Sequence, residues 1–302
     1  MRAWFVVVVF ACLIGPGCAA QVVGAEPASL SILLTNDDGF DKAGIKAVHK
    51  ALLAAGHDVT LVAPLHNQSG SGMRVSIQGT LNHMEHSEGV WSVDGSPADS
   101  VLVAVQHIMQ GETPDLVISG ANFGQNLGYA NSSGTVGAAT MAMRVGIPAI
   151  AISVAIDPAE YNTAPSPLPF PSTFGAFDGA AEFTVNLVRD LQDAQEEGGN
   201  LLPEKAILNV NYPAKKPEEI TGVQLLEATW DVGFRIAYEE TGEAGQLAVQ
   251  LQPLDPGTPE KDDDDWQWLS RGYITISVLD GNSDAGETLR DAISSRLSVF
   301  GK

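Results

Sequence analysis

Short continuous apolar runs and stretches of helical spacing alternate along this chain. Leu30-Ser31-Ile32-Leu33-Leu34 is the first run and reads as a buried strand. Ile45, Val48 and Leu52 recur at i, i+3 and i+7, which predicts a helix over 43–55 closed by Gly56. Val59 to Ala63 is a second strand, stopped by Pro64. The segments 76–81 and 90–93 flank a polar turn and read as an inserted hairpin. Ser96-Pro97-Ala98-Asp99 is a helix start, with Ser as N-cap, Pro at the first helical position and Asp three residues after the cap, and this helix is expected to reach about Gln110. A strand over 115–119, a helix over 135–145 and a strand over 147–153 continue the alternation. Such a series implies an α/β fold with a doubly wound, Rossmann-like, mainly parallel sheet, its core in 28–157.

Beyond residue 157 the pattern changes. Pro158, Pro165, Pro167, Pro169 and Pro171 read as a loop over 157–177, and a helix follows over 179–194. Strands are expected at 206–210, 223–229, 234–238 and 247–251, the last three antiparallel, then an acidic loop over 255–265. A final strand over 273–279 and an amphipathic helix over 287–299 complete a β-rich C-terminal extension, 175–302, of one domain spanning 28–302. No internal repeat is evident.

The N-terminus stands apart. Arg2, an apolar stretch from Trp4 to Leu13, the breaker Gly15-Pro16-Gly17 and then small residues form a secretory signal over 1–25, cleaved after about residue 20 or 25. Its apolar stretch is too short to span a bilayer comfortably. Cys18 raises a lipoprotein alternative, although Gly15 departs from the Leu usual three residues before a lipidated Cys. Cys12 and Cys18 are the only cysteines, so the exported chain, periplasmic or secreted, has no disulfide, thiol nucleophile or Cys-metal site. A formal net charge of -21 argues against nucleic-acid binding through a basic surface, and it would repel an anionic substrate unless a cation or local donors intervene.

Candidate chemistry gathers where loops should leave the carboxyl ends of strands. Thr35-Asn36-Asp37-Asp38-Gly39 places two adjacent acids just past the first strand, where open α/β sheets bind ligands. Paired carboxylates there need a compensating cation, and hard oxygen donors suit Mg²⁺, Mn²⁺ or Ca²⁺. Asn, Asp and Gly are also ordinary turn formers, so the turn alone does not decide. Three Gly-, Ser- and Asn-rich segments follow: 63–72, 119–128 and Ser132-Ser133-Gly134-Thr135, the last leading into a helix N-terminus suited to an anion.

In these residues the chain resembles the SurE family, survival protein E, of metal-dependent 5′/3′-nucleotidases. The resemblance runs almost unbroken over 31–153 and more loosely beyond. It is carried by Thr35 to Gly39, Ala63-Pro64 with Asn67-Gln68-Ser69-Gly70, Gly95 to Asp99, Ser119 to Gly128, Ser133 to Val136, and later by Asp265 and Arg271 to Ile274. It implies one divalent cation per subunit, Mg²⁺ or Mn²⁺, held by Asp37, Asp38, Ser69 and Asn122. It also implies that Asp37 or Asp38 serves as base, that Asn126, Ser133, Gly134 and Thr135 cradle phosphate, and that Asn67 orients the Ser69 loop. The implied reaction is hydrolysis of nucleoside 5′- or 3′-monophosphates, in a homodimer or homotetramer whose C-terminal segments exchange. The chain departs from the family at Tyr129-Ala130-Asn131, where an Asp-Asp pair is frequent, and in its signal and acidic insert.

Other features are set aside. His83 and His86 at i, i+3 lie in a segment that reads as an exposed hairpin, whereas Arg74, close after Ser69, is a candidate to offset substrate charge. The absence of Gly-x-Ser-x-Gly, Walker and Gly-x-Gly-x-x-Gly signatures argues against a serine hydrolase, an ATPase and a dinucleotide-binding oxidoreductase. The alternatives are a broad phosphatase or exopolyphosphatase using the same site, and a non-catalytic binder of metal or nucleotide.

Overall fold

The computed structural model describes residues 28–128, 130–161, 170–196, 198–229, 234–253, 265–281, 287–294 and 296. The signal reading, the Asp262 to Asp264 run and Tyr129 lie outside them.

Strand β1 (Ser31–Thr35) is the hub, because the chain leaves it in both directions. Helix α1 (Ala43–Ala54) and β2 (Asp58–Pro64) take it one way, and β3 (His83–Ser87) and β4 (Val90–Val93) extend that edge. Helix α2 (Pro97–Val103) carries the chain back to β5 (Leu116–Phe123) on the other side of β1. Then come α3 (Gly134–Arg144), β6 (Ala149–Val154), α4 (Pro158–Tyr161), α5 (Pro171–Ala194) and β7 (Ile207–Tyr212). The remaining elements are β8 (Gly222–Leu226), β9 (Phe234–Glu240), β10 (Leu247–Pro253), α6 (Asp265–Ser270), β11 (Tyr273–Leu279) and α7 (Glu287–Ser294). The main sheet has the order β3-β4-β2-β1-β5-β6-β7-β11-β8, parallel from β4 to β7. The chain therefore reverses direction across the sheet between β1 and β5, the topological switch point where such folds open a crevice.

Alternating residues of the central strands feed two cores. Ile32 and Leu34 face α1 and α5 with Ile45, Leu52 and Phe177, while Leu33 and Val117 face α2 and α3 with Val101 and Val136. The Ser96 cap forms as expected: its hydroxyl accepts the Asp99 N–H at 3.0 Å and Asp99 Oδ2 accepts the Ser96 N–H at 2.9 Å. Beyond Val103 the helix widens into a π-turn through Ile108.

The doubly wound expectation holds, and three local readings are corrected. The hairpin strand is 83–87, not 76–81: Gly79 takes φ +92° and Ile77 is exposed, so that apolar alternation never meets a partner. Pro171 does not belong to a loop but starts α5, because a proline lacks only an N–H that the first turn leaves unbonded. Strand β8 pairs parallel with β11, and only β9 and β10 form the antiparallel pair expected there.

Candidate functional site

The turn after β1 is built before any ligand is considered. Asn36 Oδ1 accepts the Gly39 N–H at 3.1 Å and its Nδ2 donates to Gly39 O at 3.0 Å, closing a tight side-chain turn. Gly39 sits at φ +126°, in a region that side chains avoid. The turn aims Asp37 and Asp38 into the crevice between β1 and β5.

Their surroundings differ. Asp37 is 3% exposed, and its Oδ1 accepts the Thr135 hydroxyl at 2.6 Å, with the Gly134 and Thr135 N–H groups also on the carboxylate. Asp38 is half-buried; its Oδ2 accepts the Phe123 N–H at 2.9 Å and its Oδ1 the Asn67 amide at 3.4 Å. Burial raises the Asp37 pKa. Burial, and then the negative charge of Asp37, push Asp38 up to about 7. Two carboxyls so disposed ionise together only when a cation offsets their charge.

The neighbouring loops close around them. Gln68 N–H donates to Asp37 O at 2.7 Å, and Asn67 Oδ1 accepts the Ser69 N–H at 2.9 Å, so the loop after β2 is pinned with Ser69 exposed at its tip. Arg74 Nη2 donates to Gln68 Oε1 at 2.8 Å, which ties this cation to the same loop. Asn122 follows a bulge in β5; its Nδ2 donates to Gly124 O at 2.6 Å, which leaves Oδ1 as the free donor atom. Ser133 caps α3 by accepting the Val136 N–H at 3.1 Å.

The donor set fits a hard divalent cation: two carboxylates, an amide oxygen and a hydroxyl at one switch point, all oxygen. The space is shaped for it. A Cβ on Gly134 would meet Asp37 Cβ at 2.7 Å and Ser71 Oγ at 2.8 Å, so only glycine admits this approach. The Ser71 Oγ is itself buried without a partner, an orphaned donor beside Asp37 that the sequence reading did not single out.

The structure thus brings Asp37, Asp38, Asn67, Gly134 and Thr135 into direct contact or one shared network. Thr135 is engaged with Asp37 and so positions that carboxylate as well as lining the helix start. Asn126 lies farther along the edge, bonded to β6 and β7. His83 and His86 point to opposite faces: His83 meets Trp91 and His107, whereas His86 stacks on Phe40 at 4.0 Å. Asp265, at the end of the acidic run, is buried and accepts from Ser277 Oγ at 3.0 Å. A cavity of about 420 Å³ adjoins the edge beside Gln125, between the ends of β6 and β7 and under Trp266.

A doubly wound α/β sheet with an acidic pair at its switch point defines the class. The family model for Survival protein SurE matches residues 32–232, and the chain belongs to that family. It is 36% identical over 257 residues to the 5′-nucleotidase SurE of Paramagnetospirillum magneticum, covering 84% of this chain and 91% of that one. The 5′/3′-nucleotidase SurE of Proteus mirabilis is 32% identical over 262 residues, covering 86% and 93%. The crystal structure of Sure protein from Aquifex aeolicus superposes with a TM-score of 0.70 at 26% identity, over 90% of this chain and 100% of that one.

Proposed function

We propose that this protein is a divalent-cation-dependent phosphomonoesterase that hydrolyses nucleoside 5′-monophosphates, and 3′-monophosphates with them, to nucleoside and phosphate. The observation that carries the reading is the Asp37–Asp38 pair, one buried and one half-buried, held by Thr135 and by the Phe123 N–H at the switch point between β1 and β5. The names of the SurE relatives support the substrate class.

Asp37, Asp38, the Asn122 amide oxygen and the Ser69 hydroxyl would hold the cation. When bound there, Mg²⁺ or Mn²⁺ would supply positive charge to a phosphoryl oxygen and would acidify a water. Thr135 fixes the Asp37 carboxylate, and Asn67 with the Phe123 N–H fixes Asp38. Asp38 is the more open of the two, and the role of accepting a water's proton is assigned to it on that ground. Asn126, Ser133 and the start of α3 bind the phosphoryl oxygens, and Arg74 offsets substrate charge at the mouth.

Residues 1–25 direct export to the periplasm or beyond. The chain assembles as a dimer or tetramer through its C-terminal elements, a reading supported by the exposed Ile236, Tyr238, Leu247 and Val249 on β9 and β10. No helix among the described residues is long and apolar enough to cross a membrane.

A panel of nucleoside monophosphates, p-nitrophenyl phosphate and short polyphosphate, assayed with Mn²⁺, Mg²⁺ and chelator, tests the reading. Metal-dependent phosphate release that favours nucleotides is the expected result. A preference for polyphosphate, or release unaffected by chelator, would replace it.

A further inference from the structure

Asn126 is held by residues distant in sequence. Its N–H donates to Asn211 Oδ1 at 2.8 Å, its carbonyl accepts from Asn209 Nδ2 at 2.8 Å and Asn211 Nδ2 at 3.5 Å, and its own Nδ2 donates to Ser153 Oγ at 2.8 Å. Asn209 and Asn211 stand two apart on β7 and so project from the same face. Ile207, Ala149 and Ala151 share that face, and all are apolar. The two asparagines are 1% and 0% exposed. A buried amide is costly unless its groups are bonded, so two of them side by side in a strand inside the sheet need a cause.

The backbone of one loop residue, Asn126, supplies that cause. A residue outside the ladder has an N–H and a C=O with no strand to pair them. Asn211 presents its oxygen to the N–H and Asn209 its nitrogen to the carbonyl, which sets both amide orientations and leaves Asn209 Oδ1 buried without a hydrogen-bond partner among the described residues. We propose that Asn209 and Asn211 are positioning residues of the phosphate site: they clamp Asn126 from within the sheet so that its side chain, braced on Ser153, meets the phosphoryl group in one orientation. The proposal rests on the phosphomonoesterase reading above. Aliphatic side chains of similar size would fill the same space, but they would leave the Asn126 backbone unpaired and free to turn.

Matched substitutions separate positioning from packing. Asn211→Asp keeps an oxygen opposite the Asn126 N–H. Asn209→Asp puts an oxygen opposite a carbonyl oxygen, and Asn211→Leu removes the acceptor. Each folded variant is assayed for kcat and KM on a nucleoside 5′-monophosphate with Mn²⁺, for inhibition by inorganic phosphate, and for Mn²⁺ affinity. Asn209→Asp and Asn211→Leu are expected to weaken KM and phosphate inhibition by roughly 10- to 100-fold, the scale of an ångström-sized misplacement. Mn²⁺ affinity should stay unchanged, and Asn211→Asp, which keeps the acceptor for the Asn126 N–H but loses the weaker bond from Nδ2, should lose clearly less than Asn211→Leu. If Asn209→Asp fails to fold, the contrast between Asn211→Leu and Asn211→Asp carries the test. Unchanged KM and phosphate inhibition in folded variants, or equal losses in Asn211→Asp and Asn211→Leu, overturns the clamp. A wild-type protein that neither hydrolyses the nucleotide nor binds phosphate in Mn²⁺ overturns the underlying reading instead.

Discussion

The carboxyl edge of β1 and β5 and the far edge formed by β11 and β8 treat side chains in opposite ways. At the first, Asn36, Asp37, Asn122 and Thr135 are buried; Asn36 and Asn122 bond within their own turns, and Thr135 reaches across to Asp37. At the second, Val223, Leu225 and Val278 stand exposed, and the β9–β10 pair adds Ile236, Tyr238, Leu247 and Val249. Buried polarity and exposed apolar surface are the two informative departures from ordinary burial. In the proposed reading the first is a site for a cation and the second a surface for another copy of the chain.

The comparison can be broken from either side. Asp38→Asn should have the largest effect, lowering phosphate release by roughly 1,000-fold while far-UV circular dichroism and melting stay near wild type. Gly44→Ala should come next. A Cβ there would fall 1.9 Å from Ala121 O and 2.9 Å from the Phe177 ring, and such overpacking costs about 3 kcal/mol in urea unfolding and displaces the neighbouring Asn122.

Asp99→Asn is intermediate, with an expected loss of about 1–2 kcal/mol at neutral pH. Burial alone would raise the Asp99 pKa, but bonds from Ser76 and Ser96 outweigh it and hold the pKa below the usual carboxylate range. The unfolded chain therefore takes up this proton first as pH falls. The wild-type advantage is present above the ordinary carboxylate pKa and is lost as pH drops through the lowered value, so melting curves of wild type and variant should converge in acid. Leu225→Lys should change the stability of the isolated chain least, by under about 0.5 kcal/mol. It should instead lower the mass seen by light scattering; an unchanged mass would remove this edge from the assembly.

Much of the first region was legible in the sequence because its chemistry is local. An apolar run ending in Asn36-Asp37-Asp38-Gly39 carries its own turn, and Ser96 to Asp99 carries its own cap. What stayed hidden depends on distant pairing. The bond from Thr135 to Asp37 joins residues 98 positions apart, and it gives Thr135 a positioning role beside the phosphate one expected of it. Asn209 and Asn211 interrupt an apolar strand, and periodicity counts them only as exceptions to that strand. The edge strand 83–87 is exposed at every position, so no hydrophobic signal could announce it. The prolines of 158–171 concealed the start of α5, because proline begins helices as readily as it breaks them.

Calorimetric titration of Mn²⁺ into the metal-free protein above neutral pH tests the central claim most directly. The account predicts one cation per chain, binding that weakens as pH falls through about 7, where Asp38 takes its proton, and no binding at this site in an Asp37→Asn, Asp38→Asn double variant. A wild-type chain that takes up no Mn²⁺, or a double variant that binds it as tightly, would contradict the account.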